Sequence, residues 1–187
     1  MTDEQHAVLD AVLDLVTSRG VAATTLRRVA DHCGVDGKTL RRRYGDQYGL
    51  LMSAAKELEL DRDRRLAAIG DGPRSDSVTD RRDYLEATVR TLLLDPADRR
   101  RLLLRTEIVA NARLVNGMTA ETEWMGTSTR TVVTAALTRA AVPEVELETE
   151  RLVALISGLA FELAYPHGAG AGTADRVVRH HIAALVR

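Results

Sequence analysis

Lys38, Arg41, Arg42 and Arg43 stand within one stretch of six residues, and Arg27 and Arg28 lie a short segment upstream. Guanidinium groups pair bidentately with phosphates or with the O6 and N7 edge of guanine, and an ammonium meets either as a point charge. Such a cluster suits recognition of a polyanion, not bond making. The elements that must position it are legible from spacing. Leu26, Val29 and Ala30 fall at i, i+3 and i+4, one small apolar stripe on a short helix, with Arg27 and Arg28 off the stripe. Gly34 sits where a tight interhelical turn needs a residue tolerant of positive φ, and Val35 can fill the space between the helices. Asp36 is an N-cap for a second helix in which only Leu40 and Tyr44 are expected to be buried. Two short helices, a tight turn and a basic second helix make a helix-turn-helix.

Charge narrows the polyanion. The 187 residues carry 26 Lys+Arg against 27 Asp+Glu, a net charge of −1. Residues 19–44 hold Arg19, Arg27, Arg28, Lys38, Arg41, Arg42 and Arg43 against only Asp31 and Asp36, an excess of five positive charges that leaves the remainder six negative. A near-neutral chain with one concentrated basic patch has the footprint of a DNA reader that does not coat nucleic acid indiscriminately. The plainer reading is a solvated basic face on a helical hairpin. It is outweighed because the turn, the cap and the patch coincide.

From Val8 to about Met52 the sequence resembles the tetracycline-repressor-like (TetR-like) regulators, with LDAVLDLVTSRG as first helix, TTLRRVADHCGV as second, DGKTLRRRY as recognition helix and GDQYGLL opening a long fourth helix. Beyond Met52 the likeness is architectural. It implies a palindromic double-stranded DNA operator, a second copy of the chain and a small-molecule effector as partners. By this resemblance Arg27, Gly37, Lys38 and Thr39 lie nearest the groove floor, and Thr25, Arg28, Asp36, Arg41, Arg42, Arg43, Tyr44 and Gln47 complete the expected DNA-binding set. Three of these depart from the family's pattern. Arg41 stands where the family usually has an aromatic, Arg43 where it has an aromatic or His, and Gln47 where it commonly has a phosphate-binding Lys. Guanidinium groups in place of rings should raise nonspecific phosphate affinity and salt sensitivity. At Gln47 the N–H groups behind the Asp46 cap could still meet a phosphate, with one cation missing.

The rest of the chain reads as helices and their punctuation, with no useful β alternation, so an all-α fold of nine helices is expected. Thr2 and Gln5 form a capping box for the first helix, which Gly20 ends. The fourth runs from Gln47 to about Ile69, before Gly70-Asp71-Gly72-Pro73. Another capping box, Ser77 to Asp80, starts the fifth, with the stripe Val78, Leu85, Thr88, Val89 and Leu92. Asp95 and Pro96 open the sixth, which runs to Asn116-Gly117. The seventh spans about Thr119 to Ala141 and the eighth about Leu147 to Tyr165. After a glycine-rich loop from His167 to Gly172, Thr173 caps the ninth. Residues 1–46 are expected to form the helix-turn-helix domain, and 47–187 a ligand-binding and dimerisation domain. No apolar run approaches a membrane span and MTDEQH shows no signal-peptide pattern, so cytoplasmic residence without membrane contact is expected. The single cysteine, Cys33, reads as a small hydrophobe packing the turn.

Helix eight has a broad apolar face that includes Leu152, Leu155, Ile156, Leu159 and Leu163, and helix nine one that includes Val178, Ile182 and Leu185. Either both faces pack inside one subunit or they pair with a second copy. The resemblance favours the second, because in the family the last two helices form a four-helix bundle across a two-fold axis. A charge at Leu159 or Ile182 is then expected to yield folded monomers. The effector pocket is expected among helices five to eight, at Tyr84, Thr88, Leu104, Glu107, Ile108, Asn111, Trp124, Met125 and Thr129, where polar groups adjoin apolar stripes. Enzyme readings find little. The histidines lack partners at metal-ligand spacing, and the Gly168 to Gly172 repeat lacks a preceding strand and the Lys-Ser/Thr sequel of a phosphate loop. No catalytic residue, metal or cofactor is expected. The function expected is a dimeric repressor released by a small molecule. Alternatives are an activator or effector-independent regulator, a helical ligand-binding or scaffold protein without operator specificity, and an enzyme on a helical core.

Overall fold

A computed structural model describes residues 2–93, 98–111, 118–165 and 170–187, without the side chains of 118–122, 124 and 126. Among the described residues there are nine α-helices, one 3-10 turn and no strand. They are α1 (Asp3–Arg19), α2 (Leu26–Cys33), α3 (Gly37–Tyr44), α4 (Gln47–Ile69), α5 (Val78–Leu92), α6 (Arg99–Asn111), α7 (Met118–Arg139), α8 (Val145–Ala164) and α9 (Ala171–Leu185), with the 3-10 turn at Val21–Ala23. No helix among these residues is long and apolar enough to cross a membrane.

Local chemistry sets most of the boundaries. Thr2 and Gln5 form the reciprocal capping box, and the N–H of Gly20 closes α1 on the Val16 carbonyl. Asp46 caps α4, whose last residue Ile69 precedes Gly70 at φ 93°. The Ser77 hydroxyl caps α5 by accepting from the Asp80 N–H, but the Asp80 carboxylate takes the Ser75 hydroxyl instead of completing a box. Val78, the first member of the expected stripe, is exposed, while Leu85, Thr88, Val89 and Leu92 are buried. The ninth helix starts earlier than Thr173, with Gly170 as its N-cap. Asp95, Pro96, Asn116, Gly117 and His167 lie outside the described residues.

Helices α1 to α3 pack around Val12, Val16, Val29 and Leu40, each at most 1% exposed. Cys33 and Val35 are half-buried against this core, as a packing role at the turn requires. The core continues without a break through Leu50 and Leu58 of α4 into Leu85, Leu104, Ile108, Leu137 and Ile156 of the later helices. Helix α4 therefore runs from the basic helix pair into the centre of the molecule.

Candidate nucleic-acid interface

Short-range caps hold the two basic helices. The Thr25 hydroxyl accepts from the Arg28 N–H at 3.4 Å, and Gly34 at φ 70° ends α2 with its N–H on the Ala30 carbonyl. One Asp36 carboxylate oxygen accepts from the N–H of Thr39 at 3.0 Å and from its hydroxyl at 3.3 Å, fixing the first turn of α3. Thr25, Asp36 and Thr39 thus use their oxygens to build the helix-turn-helix. An open groove of about 600 Å³ separates α2 from α3, lined by Leu26, Arg27, Ala30, Gly34, Gly37 and Arg41 among others. Arg27, Lys38, Arg41 and Arg42 are exposed and make no hydrogen bond or ion pair among the described residues. These four cations are available to an external anion.

Four residues of the expected DNA-binding set are engaged within the chain. Nε2 of Gln47 donates to the Val21 carbonyl at 2.8 Å and lies 3.4 Å from that of Ala22. This amide therefore ties the start of α4 to the turn after α1 and is not offered to a phosphate. Arg28 makes a similar tie, donating from Nη1 to the Ala23 carbonyl at 2.9 Å. Arg43 donates to Glu4 at 3.2 Å and lies 5.6 Å from the centroid of the Tyr44 ring. Tyr44 is half-buried against the core, and burial is the main cause of its raised pKa, so it acts as packing beneath Arg43.

The join between α3 and α4 contains a device that the motif alone did not show. Gly45 at φ 76°, ψ −75° directs the Asp46 N–H onto the Tyr44 carbonyl at 3.0 Å. That carbonyl then occupies the place of a side chain at position 49, where a Cβ would lie 2.0 Å from the oxygen. The spacing Gly45-Asp46-Gln47-Tyr48-Gly49 thus lets the recognition helix end directly against α4.

Behind the interface, α4 carries a buried ionic cluster. Glu59 and Arg62 are each 1% exposed and in close contact, and Nε of Arg105 on α6 lies 3.5 Å from Glu59. Arg62 also donates to Asp63 and, at 2.8 Å, to the Ser128 hydroxyl, while Arg105 donates to Thr129 at 3.1 Å. Burial, the largest cause, lowers the pKa of Arg105, and the Glu59 charge opposes it. Thr129 thus joins a charged centre that the expected pocket omitted.

The other expected pocket residues divide between different surroundings. Thr88, Leu104, Ile108 and Met125 are buried, whereas Glu107 accepts from Asn111 at 3.1 Å and from the Tyr165 hydroxyl. Burial and the hydrogen bond to Glu107 push the Tyr165 phenol up to about 12. Tyr84 borders a cleft of about 340 Å³ with Ile69, Pro73, Asp83 and Ala87 at the α4–α5 corner. The Trp124 side chain lies outside the described residues.

The residues expected at a dimer face are engaged within one chain. Leu152, Ile156, Leu159, Leu163, Val178 and Ile182 are all buried within one chain, and Leu155 and Leu185 are half-buried against the same core. Amphipathicity here located the intrachain face. A different stripe of α8 is exposed, at Leu147, Arg151, Ala154, Gly158 and Phe161, where the spacing alternates between four and three residues. Beside it on α9, Val177, His180 and Ala184 border an open cleft of about 470 Å³.

A short basic helix locked behind a tight turn, carried on a long helix into an all-α core, defines a helix-turn-helix fold. Residues 81–187 match the C-terminal domain of the BetI-type transcriptional repressors, and the chain belongs to the TetR family of transcriptional regulators. No curated protein matches the chain. Among solved structures, a transcriptional regulator from Rhodococcus sp. Rha1 superposes with a TM-score of 0.81 at 20% identity, covering 98% of this chain and 96% of that one. The ketosteroid transcriptional regulator KstR2 of Mycobacterium tuberculosis gives 0.68 at 14% identity, with 100% and 94% covered. A SmeT–triclosan complex gives 0.76 at 18% identity, with 100% and 93% covered. At these identities the likeness shows a shared fold.

Proposed function

We propose that the protein is a homodimeric, cytoplasmic one-component repressor that binds a palindromic operator and is released by a small-molecule effector. In this reading residues 1–46 form the DNA-binding domain and 47–187 the effector-binding and dimerisation domain, with α4 linking them. The observation that carries it is the set of unpaired cations, Arg27, Lys38, Arg41 and Arg42, around the open α2–α3 groove. Effector release is supported by the family and by the triclosan held by SmeT, a protein of the same fold. Two linked recognition helices can dock together only when their separation matches about 34–36 Å or a multiple, so an effector that alters this spacing disfavours binding. Selecting sites from random DNA and then screening ligands for release tests the reading. Selection of no common sequence would overturn it.

Arg41 is exposed and unpaired among the described residues, so it should act on phosphates. Arg41→Ala should weaken binding to all sequences and flatten the log–log salt dependence by about one unit. Arg43→Ala should flatten it less, because Glu4 already neutralises that guanidinium. Affinities measured across a salt series check both slopes.

Lys38, in the first turn of α3, should read a base edge. Its loss in Lys38→Ala should remove about 1–3 kcal/mol of discrimination at one position of each half-site. Equal loss on selected and random DNA would identify it as a phosphate contact instead.

A further inference from the structure

Three consecutive arginines open α6, and each reaches a different helix. Nε of Arg99 donates to the Ala164 carbonyl at the end of α8 at 3.0 Å. Nη1 of Arg100 donates to Asp14 of α1 at 2.8 Å, and Nη1 of Arg101 donates to Asp61 of α4 at 2.7 Å. Successive residues step about 100° around a helix, so three in a row fan over more than half its circumference. Asp98, just before the helix, accompanies Arg101 at 3.0 Å and Arg100 at 3.7 Å. The other Asp14 oxygen lies 3.5 Å from Nε2 of His32 at the end of α2. Arg100 is therefore linked through Asp14 to the helix-turn-helix itself.

The surroundings give this contact its leverage. A polar cleft of about 270 Å³ opens between α1, α4 and α6, bordered by Leu9, Asp10, Glu57, Arg64, Arg100 and Arg101 among others. Along this edge the joint between the basic helices and α6 is spanned by ion pairs. The Asp14 hydrogen bond is the main cause of a raised pKa at Arg100. At Asp61 burial acts to raise the pKa, but the Arg101 hydrogen bond and the charges of Arg65, Arg101 and Arg64 outweigh it and hold the carboxyl low.

We propose that Arg100 is a positioning residue for DNA recognition, holding the helix-turn-helix at a set orientation on α6 through Asp14. The proposal rests on the DNA-binding reading above. A selected palindrome demands two recognition helices at a fixed separation, whereas arbitrary DNA is held by phosphate contacts that tolerate a loose joint. Loosening the pair should therefore lower the ratio of specific to nonspecific affinity while leaving nonspecific affinity unchanged.

The test uses the full chain, a site selected from random DNA, and a scrambled duplex of equal length. Arg100→Gln and Asp14→Asn should each lower the specific-to-nonspecific ratio by about three- to fivefold, the scale of a partly exposed ion pair. The double variant should fall little further than either single, because each single already breaks the Arg100–Asp14 pair. Arg100→Lys, which keeps the charge, should recover most of the ratio. Additive losses in the double variant, equal losses on both duplexes, or an unchanged ratio in Arg100→Gln would each overturn the proposal. A parent chain with no preference for any selected site would instead overturn the DNA-binding reading.

Discussion

Glu59→Leu should lower the stability of the fold by about 3–5 kcal/mol, because it leaves two guanidinium groups facing each other without their shared counter-ion. Glu59 and Arg62 are each 1% exposed, so solvent does little to screen the unbalanced charge left behind. Arg62→Met should cost a similar amount by stranding the Glu59 carboxylate, even though Arg105 remains 3.5 Å away. Replacing all three by apolar residues of similar volume, as Glu59→Leu, Arg62→Met and Arg105→Met, should recover most of the loss, since no buried charge then lacks a partner. Urea denaturation of the four proteins checks the pattern. Single variants within about 0.5 kcal/mol of the parent, or a triple variant that sums the single losses, would count against a mutually dependent cluster.

The cluster matters for function because of where it sits. Glu59 and Arg62 belong to α4, whose first turn abuts the recognition helix at Gly49. Arg105 and Ser128 belong to α6 and α7, deep in the later helices. A change in packing there has a short path to α3 along one helix. Interdomain regulation of that kind needs two arrangements with differential ligand affinity, and a buried ionic centre has few alternatives of equal energy.

Legibility in the sequence followed the range of the interaction. Thr25, Asp36, Gly34 and the Thr2–Gln5 box act within four residues, so their types and spacing announced the helix-turn-helix before any tertiary contact was known. The tie made by Gln47 is hidden in the sequence for the opposite reason. Its partner is the carbonyl of Val21, 26 positions away, and nothing local reveals that bond. Most residues from Lys56 to Arg65 are charged, and nothing local singles out Glu59 and Arg62, which turn inward to meet Arg105. The consecutive arginines of α6 are separated in sequence from Asp14 by 86 positions and from Asp61 by 40. Hydrophobic periodicity on α8 and α9 did report a buried face, but burial inside one chain and burial between two copies look alike in such a pattern. The stripe left exposed has Ala154 and Gly158 at its middle, residues too small to register as apolar signal.

That stripe changes how association should be tested. Leu159→Asp or Ile182→Asp should unfold the chain, because Ile182 is fully buried and Leu159 nearly so within the subunit's own core. Gly158→Arg acts on the exposed side, where a Cβ meets nothing within 4 Å. The substitution should leave the monomer at least as stable, since glycine inside a helix is destabilising by roughly 0.5–1 kcal/mol relative to alanine. Across a two-fold axis, by contrast, two arginines brought together at a close helix crossing would clash and repel. If the exposed stripe is the dimer face, Gly158→Arg should be a folded monomer by light scattering. Loss of the linked second site should then lower operator affinity by about 10²–10⁴-fold, while binding to an isolated half-site stays near that of the parent. A folded Gly158→Arg protein that remains dimeric would move the interface elsewhere. A monomer that binds the full operator as tightly as the parent would show that recognition does not require two copies.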